Sequence, residues 1–311
     1  MLAAGGPELA RLLQRAEERL GEIVQGHGEL LGGHAETTLS AGGKRLRPVL
    51  VFLCAGEPDD RLVAGAVAVE LLHMATLVHD DVLDGADLRR GRPTVFAKGG
   101  RGEATATGDL LFSRAFAELA GTGSQGAVRA LSKASSALAR GELMQREDAF
   151  DPEVTENRYL ERCRLKTASL FEASCRLGTL FGGRPELAGQ LGRFGERLGV
   201  AFQMLDDVLD VSGPPERTGK PRGADLFDGT VTLPLILARR EDASLTASVR
   251  CAEEAAAVCD RIAATGALEQ ARDQALAHVD EAKSVLADAD LAPARARALG
   301  LVAEGVVERY A

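Results

Sequence analysis

Leu9, Leu12, Leu13, Ala16, Leu20, Ile23 and Val24 stand three and four positions apart, and the same spacing of apolar residues returns in almost every segment of the chain. Such a period gathers apolar side chains on one side only where the backbone winds at about 3.6 residues per turn, so each segment is expected to be a helix that buries a stripe. The period-two alternation of a half-buried strand is hard to find. The sequence therefore predicts an all-α chain with helices near residues 8–25, 48–56, 60–84, 103–120, 127–148, 155–181, 185–211, 231–241, 244–263, 266–286 and 292–309. Glycine and proline mark the breaks: Gly42-Gly43, Gly85 to Gly102, Gly121 to Gly126, Gly182-Gly183, and SGPPERTGKPRGADLFDG from Ser212 to Gly229. No low-complexity linker divides the sequence, so residues 1–311 are expected to form a single domain, with a hydrophobic content of 45% to fill its core.

Charge narrows the function. The 37 basic and 46 acidic side chains leave a net charge of -9, which opposes broad binding to nucleic acid, because that requires Lys and Arg to replace phosphate counterions. Any anion site must be local. The five cysteines are scattered, without CxxC or His-rich spacing, and read as reduced thiols rather than a disulfide framework or a zinc site. Charge interrupts the first residues before a signal-peptide core develops, and no eighteen apolar residues run together. The expectation is a cytoplasmic protein without a transmembrane segment.

The pattern DDVLD occurs at Asp80 to Asp84 and again at Asp206 to Asp210, each time near the end of a long apolar helix and before a loop with Gly, Arg and Pro. A spacing of four puts Asp80 with Asp84, and Asp206 with Asp210, on one helix face, while Asp81 points away by roughly a quarter turn. Like charges so placed destabilise a bare helix by a few tenths of a kcal/mol, and carboxylates at a C-terminus face the wrong end of the macrodipole. A cation would relieve both. An all-oxygen donor set favours a hard ion such as Mg²⁺, which uses one or two carboxylates and completes its shell with water and substrate phosphates. One such motif alone could equally be a solvated helix end; its repetition favours the metal.

Two basic clusters accompany the acidic pairs. GGKRLRP sets Lys44, Arg45 and Arg47 after two glycines, and LRRGRP sets Arg89, Arg90 and Arg92 just past the first DDVLD. Arginine offers a fork of donors matched to phosphate oxygens, and glycine lets the backbone approach an anion. Either cluster alone reads as a solvated loop. Together with the carboxylates they suggest a diphosphate held by metal on one side and by guanidinium on the other.

With GGKRLRP, LVHDDVLDGADLRRGRPT, CRLKTASLF, FQMLDDVLD and GKPRGADLFDGTVTLPLI in this order between about Gly42 and Ala238, the chain resembles the trans-prenyltransferases, or polyprenyl diphosphate synthases. The resemblance implies an isoprenoid-synthase-like helical bundle around a deep central cavity, a homodimer, and acidic motifs facing each other across the cavity mouth. It implies that Asp80 and Asp84 on one wall, and Asp206 and Asp210 on the other, hold three Mg²⁺ ions around an allylic diphosphate, with Asp81 and Asp207 behind them. By the same resemblance Arg89, Lys166 and Lys220 contact that diphosphate, while Lys44, Arg47, His73 and Arg90 hold isopentenyl diphosphate. Thr167 and Gln203 would direct oxygens toward the carbon that becomes cationic. The implied reaction is Mg-assisted ionisation, condensation and elimination, with no Ser, Cys or His nucleophile.

One position departs from the family. Asp228-Gly229-Thr230 precedes TLPL-like sequence where a Gly-Lys is usual, so one lysine contact to the allylic diphosphate is missing; Arg222 could compensate or be solvated. Two rivals are weaker. A terpene cyclase guides cations with aromatic walls, whereas this chain has 4% aromatic residues and no Trp. A non-catalytic partner subunit would tolerate eroded motifs, and both are intact. For product length, Ala75 and Thr76 lie one turn below Asp80 and are small, with no aromatic residue and no insertion in the first acidic motif. An open floor there implies a medium-to-long all-trans product of roughly six to ten isoprene units, counting about 5.4 Å per helical turn, with Leu72, Phe112 or Met144 as the obstacle beyond. A farnesyl or geranylgeranyl diphosphate synthase is the alternative.

Overall fold

The computed structural model describes residues 6–26, 33–34, 38–39, 45–57, 59–89, 91–213 and 222–308. They form two compact units, one built from the described residues up to Ser135 with Leu170–Gly195 and Val285–Leu301, the other from Ser136–Ser169, Glu196–Ser284 and the described residues from Val302.

In the first unit, α1 (Gly6–Gln25) lays down the stripe read from the sequence, and Leu9, Leu12, Ala16, Leu20, Ile23 and Val24 are all buried. Each such leucine contributes about 1.5–3 kcal/mol on leaving water. α2 (Leu46–Cys54) is buried from Pro48 onward. The centre is α3 (Arg61–Asp84), with buried residues on every side, from Leu62 and Ala66 to Leu71, Ala75 and Val78. By length and composition α3 could cross a membrane, but 72% of its apolar stretch is buried within the protein. It packs chiefly on α4 (Val95–Gly121). The two helices touch closely at Gly108, where a Cβ would fall 2.3 Å from the His79 ring.

Local chemistry fixes where α3 stops and α4 begins. Gly85 adopts φ 62°, a left-handed conformation that glycine tolerates, and the amides of Gly85 and Ala86 close on the Asp81 carbonyl. LRRGRP, read as a loop, contains a short antiparallel pair, β1 (Leu88–Arg89) with β2 (Arg92–Pro93), in the register Leu88↔Pro93 and Arg89↔Arg92. α4 begins eight residues earlier than its predicted start at 103. The Thr94 hydroxyl caps it by accepting from the Ala97 amide at 3.0 Å, and the glycine run that suggested a break survives as a kink at Gly100, φ 71°.

α5 (Gln125–Glu147) runs on toward the second unit's residues. The predicted helix 155–181 is α6 (Glu156–Cys163) and a π-helical turn (Arg164–Ala168) in the second unit, continued by α7 (Ser169–Phe181), which from Leu170 belongs to the first. The π turn lies against α5 at Gly141, where a Cβ would stand 2.6 Å from the Lys166 amide nitrogen. α8 (Ala188–Ser212) carries the second DDVLD and is followed by the short α9 (Ala224–Phe227) and α10 (Leu233–Ala238). The predicted helix 244–263 begins only at Ala252, as α11 (Ala252–Ala264). Residues before it are diverted by side chains: Asp242 accepts from the Ser244 amide and hydroxyl at 3.1 and 2.6 Å, and Arg239 donates to the Ala243 carbonyl at 3.1 Å. α12 (Ala267–Ala287) and α13 (Pro293–Glu308) complete the described chain.

Candidate active site

The last turns of α3 present three carboxylates in three environments. Asp84 is exposed, Asp80 half-buried and Asp81 buried. Asp81 Oδ1 accepts from Arg89 Nε at 2.8 Å, with Arg89 Nη2 at the same distance. Some of the crowded opposite charge is thus neutralised within the protein, through the middle aspartate of the motif. The β1–β2 pair delivers Arg89 to this position, and an ion pair with one buried partner is costly to break from one side.

The cluster GGKRLRP divides its labour. Arg45, in a left-handed conformation with φ 47°, binds Glu17 and reaches buried Glu70 at 2.5 Å, a structural role that removes it from any ligand. Arg47, two residues further on, holds its guanidinium 4.9 Å over the Phe171 ring. His73 is half-buried on α3 and its carbonyl accepts the Thr76 hydroxyl at 2.8 Å. Ala75 and Leu72 are fully buried, while Phe112 is 38% exposed. Lys44, Arg90 and Lys220 lie outside the described residues. A cavity of about 520 Å³ in the same unit, lined by Leu9, Leu12, Phe52, Leu53 and Leu187, contains none of the predicted site residues.

The second unit assembles a longer polar chain around α8. Asp207 is buried and accepts the Tyr159 hydroxyl on Oδ2 at 2.7 Å and the Gln203 amide on Oδ1 at 2.8 Å. Burial, and then the carboxylate of Asp225, push the Asp207 pKa up, against the pull of those two donors. Burial likewise holds the Tyr159 hydroxyl well above its ordinary range, so it remains a proton donor, and pushes the neighbouring Cys163 thiol up to about 12, which leaves it no role as a nucleophile. Gln203 Oε1 in turn accepts from Thr167 at 2.7 Å. Lys166, beside it on the π turn, pairs with Glu142 and donates to Gln145 Oε1 at 3.1 Å. Burial alone would raise the Glu142 pKa, but Lys166 and Arg146 outweigh it and hold the carboxyl below its usual range.

At the position of the missing lysine, Thr230 is buried and its hydroxyl oxygen lies 3.4 Å from Gln145 Nε2, so it borders the surroundings of Lys166. Arg222 donates to the Val211 carbonyl and to Asp260 at 2.6 Å, which ties it to the end of α8 and to α11. Asp225, whose amide donates to Asp210 Oδ2 at 3.3 Å, joins the acidic group. Sequence reasoning passed over Asp225, Glu142, Gln145 and Tyr159; Asp225 alone carried a signal, as the acid of GADLFDG.

Each acidic pair, Asp80 with Asp84 and Asp206 with Asp210, offers carboxylate oxygens from its own helix, half-buried except for exposed Asp84. Among the described residues no three acidic, His or Cys side chains close around a single point. That donor set suits an ion that keeps water and takes the rest of its ligands from a phosphate-bearing substrate.

Comparison with known proteins agrees with these features. The family described as Polyprenyl synthetase matches residues 29–264. A heptaprenyl diphosphate synthase component 2 of Geobacillus stearothermophilus is 42% identical over 283 residues, 88% of each chain. An octaprenyl diphosphate synthase of Escherichia coli is 36% identical over 275 residues, 85% of each. The crystal structure of a decaprenyl diphosphate synthase from Rhodobacter capsulatus superposes with a TM-score of 0.90 at 33% identity, covering 98% of both chains.

Proposed function

The chain belongs to the polyprenyl synthetase family, and from that premise we propose that it condenses isopentenyl diphosphate with an allylic diphosphate to make a medium-to-long all-trans polyprenyl diphosphate. The observation that carries this reading is the pair of intact DDVLD helix ends, one followed by an arginine-bearing turn and the other hydrogen-bonded to the Lys166–Thr167 turn through Gln203.

Asp80 and Asp84, together with Asp206 and Asp210, hold magnesium, three ions being the expected number. Bound magnesium supplies Lewis-acid stabilisation of the departing diphosphate. Lys166 leaves Glu142 and Gln145 to meet the allylic diphosphate, with Arg89 and Lys220. Lys44, Arg47, His73 and Arg90 hold isopentenyl diphosphate. The allylic C–O bond breaks and its electron pair departs with diphosphate, while Thr167 and Gln203 face the electron-poor carbon with oxygen. The isopentenyl double bond then forms the new C–C bond, and the released diphosphate takes the proton whose loss restores an allylic product.

Two substrates on different groups should separate kinetically. Arg47→Ala is expected to raise the KM for isopentenyl diphosphate by about ten-fold or more with little change in single-turnover ionisation. Lys166→Ala is expected to slow ionisation itself by roughly 10²-fold. Equal kinetic signatures for the two variants would mean that the separate roles are wrong.

The protein works in the cytoplasm, as a homodimer in this reading. A second reading draws on the Geobacillus relative, whose name makes it one component of its synthase: the chain is the catalytic member of a heteromer. The purified chain alone, with Mg²⁺ and both substrates, is expected to elongate the primer, with products identified by chromatography. No turnover alone, but turnover with a co-purified second subunit, would establish the heteromer; no turnover with any allylic primer in either form would end the assignment.

A further inference from the structure

We infer that Tyr159 and Asp207 are positioning residues that set the direction of the hydrogen bonds through Gln203 to Thr167, so that the Thr167 hydroxyl turns its proton away from the reacting carbon and is left with lone pairs only. The inference rests on the reaction proposed above.

The directions follow from what each group is able to do. Ionised, Asp207 only accepts, and in that state it takes one donor on each oxygen, the Tyr159 hydroxyl on Oδ2 at 2.7 Å and a Gln203 N–H on Oδ1 at 2.8 Å. The amide nitrogen of Gln203 must therefore lie toward Asp207, which turns Oε1 to the other side. Thr167 meets that oxygen at 2.7 Å, and an amide oxygen accepts, so the threonine hydroxyl is the donor. Its rotor, free in isolation to point a proton anywhere, is committed. A hydroxyl with its proton engaged elsewhere stabilises a neighbouring cation, and one aiming its proton at that cation opposes it. Tyr159 is fully buried and touches Asp207, not the Gln203–Thr167 pair, so it acts through the carboxylate. Burial keeps it protonated, in agreement with a fixed donor role.

The test is a double-mutant cycle in the purified full-length chain, with kcat, both KM values and thermal unfolding measured for each variant. Asp207→Asn and, separately, Tyr159→Phe are expected to lower kcat by roughly ten-fold or more, with both KM values little changed. Tyr159→Phe keeps the ring that packs in the core, so it serves if Asp207→Asn fails to fold. In a Thr167→Val background, which has no hydroxyl to orient, either change should lower kcat by clearly less than it does in the wild type, the remainder acting through the Gln203 oxygen alone. Additive losses in that background, raised KM values with kcat intact, or an unchanged kcat in a folded variant would overturn the inference. An inactive wild type would instead indict the proposed reaction, and is read before any variant is made.

Discussion

Asp80→Ala and Asp206→Ala are each expected to lower turnover by about three orders of magnitude or more, the scale of losing electrostatic stabilisation of a leaving group. Neither change should disturb the fold, since both side chains are only half-buried, and removing the Asp80 carboxylate near the α3 C-terminus relieves the macrodipole rather than opposing it. Circular dichroism should stay helical. The matching loss in the two variants matters more than its size: the chain repeats DDVLD in two places, and the proposed reaction needs both. A variant of either aspartate that keeps wild-type turnover at saturating Mg²⁺ would show that its motif is a solvated helix end after all.

The second large effect concerns the product. Ala75→Phe is expected to shift the distribution to farnesyl or geranylgeranyl diphosphate, with ionisation of the primer retained. Ala75 is fully buried on α3 beside Thr76, which lies one turn below Asp80 and is held by its bond to the His73 carbonyl. A phenyl ring there fills the space that a growing chain would take, at a stability cost of about 1–3 kcal/mol where the core cannot move aside. Chromatography of the products decides the matter. A mutant distribution identical to the wild type's would place the length-limiting obstacle elsewhere, and buried Leu72 is then the next residue to vary.

Helical class was legible because its period is local: the structure buries the α1 stripe read from the sequence except Leu13, which is half-buried. A spacing of four likewise defines a helix face without knowledge of any partner, and both DDVLD runs lie in helices. What sequence could not supply was the identity of distant partners. Arg45 and Arg47 stand in one basic run, yet one is captured by buried Glu70 and the other lies over Phe171. Tyr159 meets an aspartate 48 positions away. The π turn was invisible because nothing in the helical period of CRLKTASLF marks it, and the close approach at Gly141 involves a residue more than twenty positions away. The helix expected from residue 244 failed for a local reason, the capture of backbone groups by Asp242 and Arg239, but the preference of those side chains for turns competes with an apolar period that points the other way.

On the proposed role of Lys166 at the allylic diphosphate, its ion pair with Glu142 bears on which anions bind there. In the resting enzyme this lysine is not an open positive charge awaiting any anion; it already has a carboxylate, itself held ionised below its usual range. A ligand must outbid that internal rival, which sets a threshold. Singly charged phosphate esters and ordinary carboxylates offer the lysine no more than it has. A diphosphate that arrives with more negative charge and more acceptor oxygens does, so the same contact that keeps the lysine occupied screens weak anions out. Glu142→Gln should lower that threshold, and inorganic phosphate should then inhibit an enzyme that otherwise ignores it.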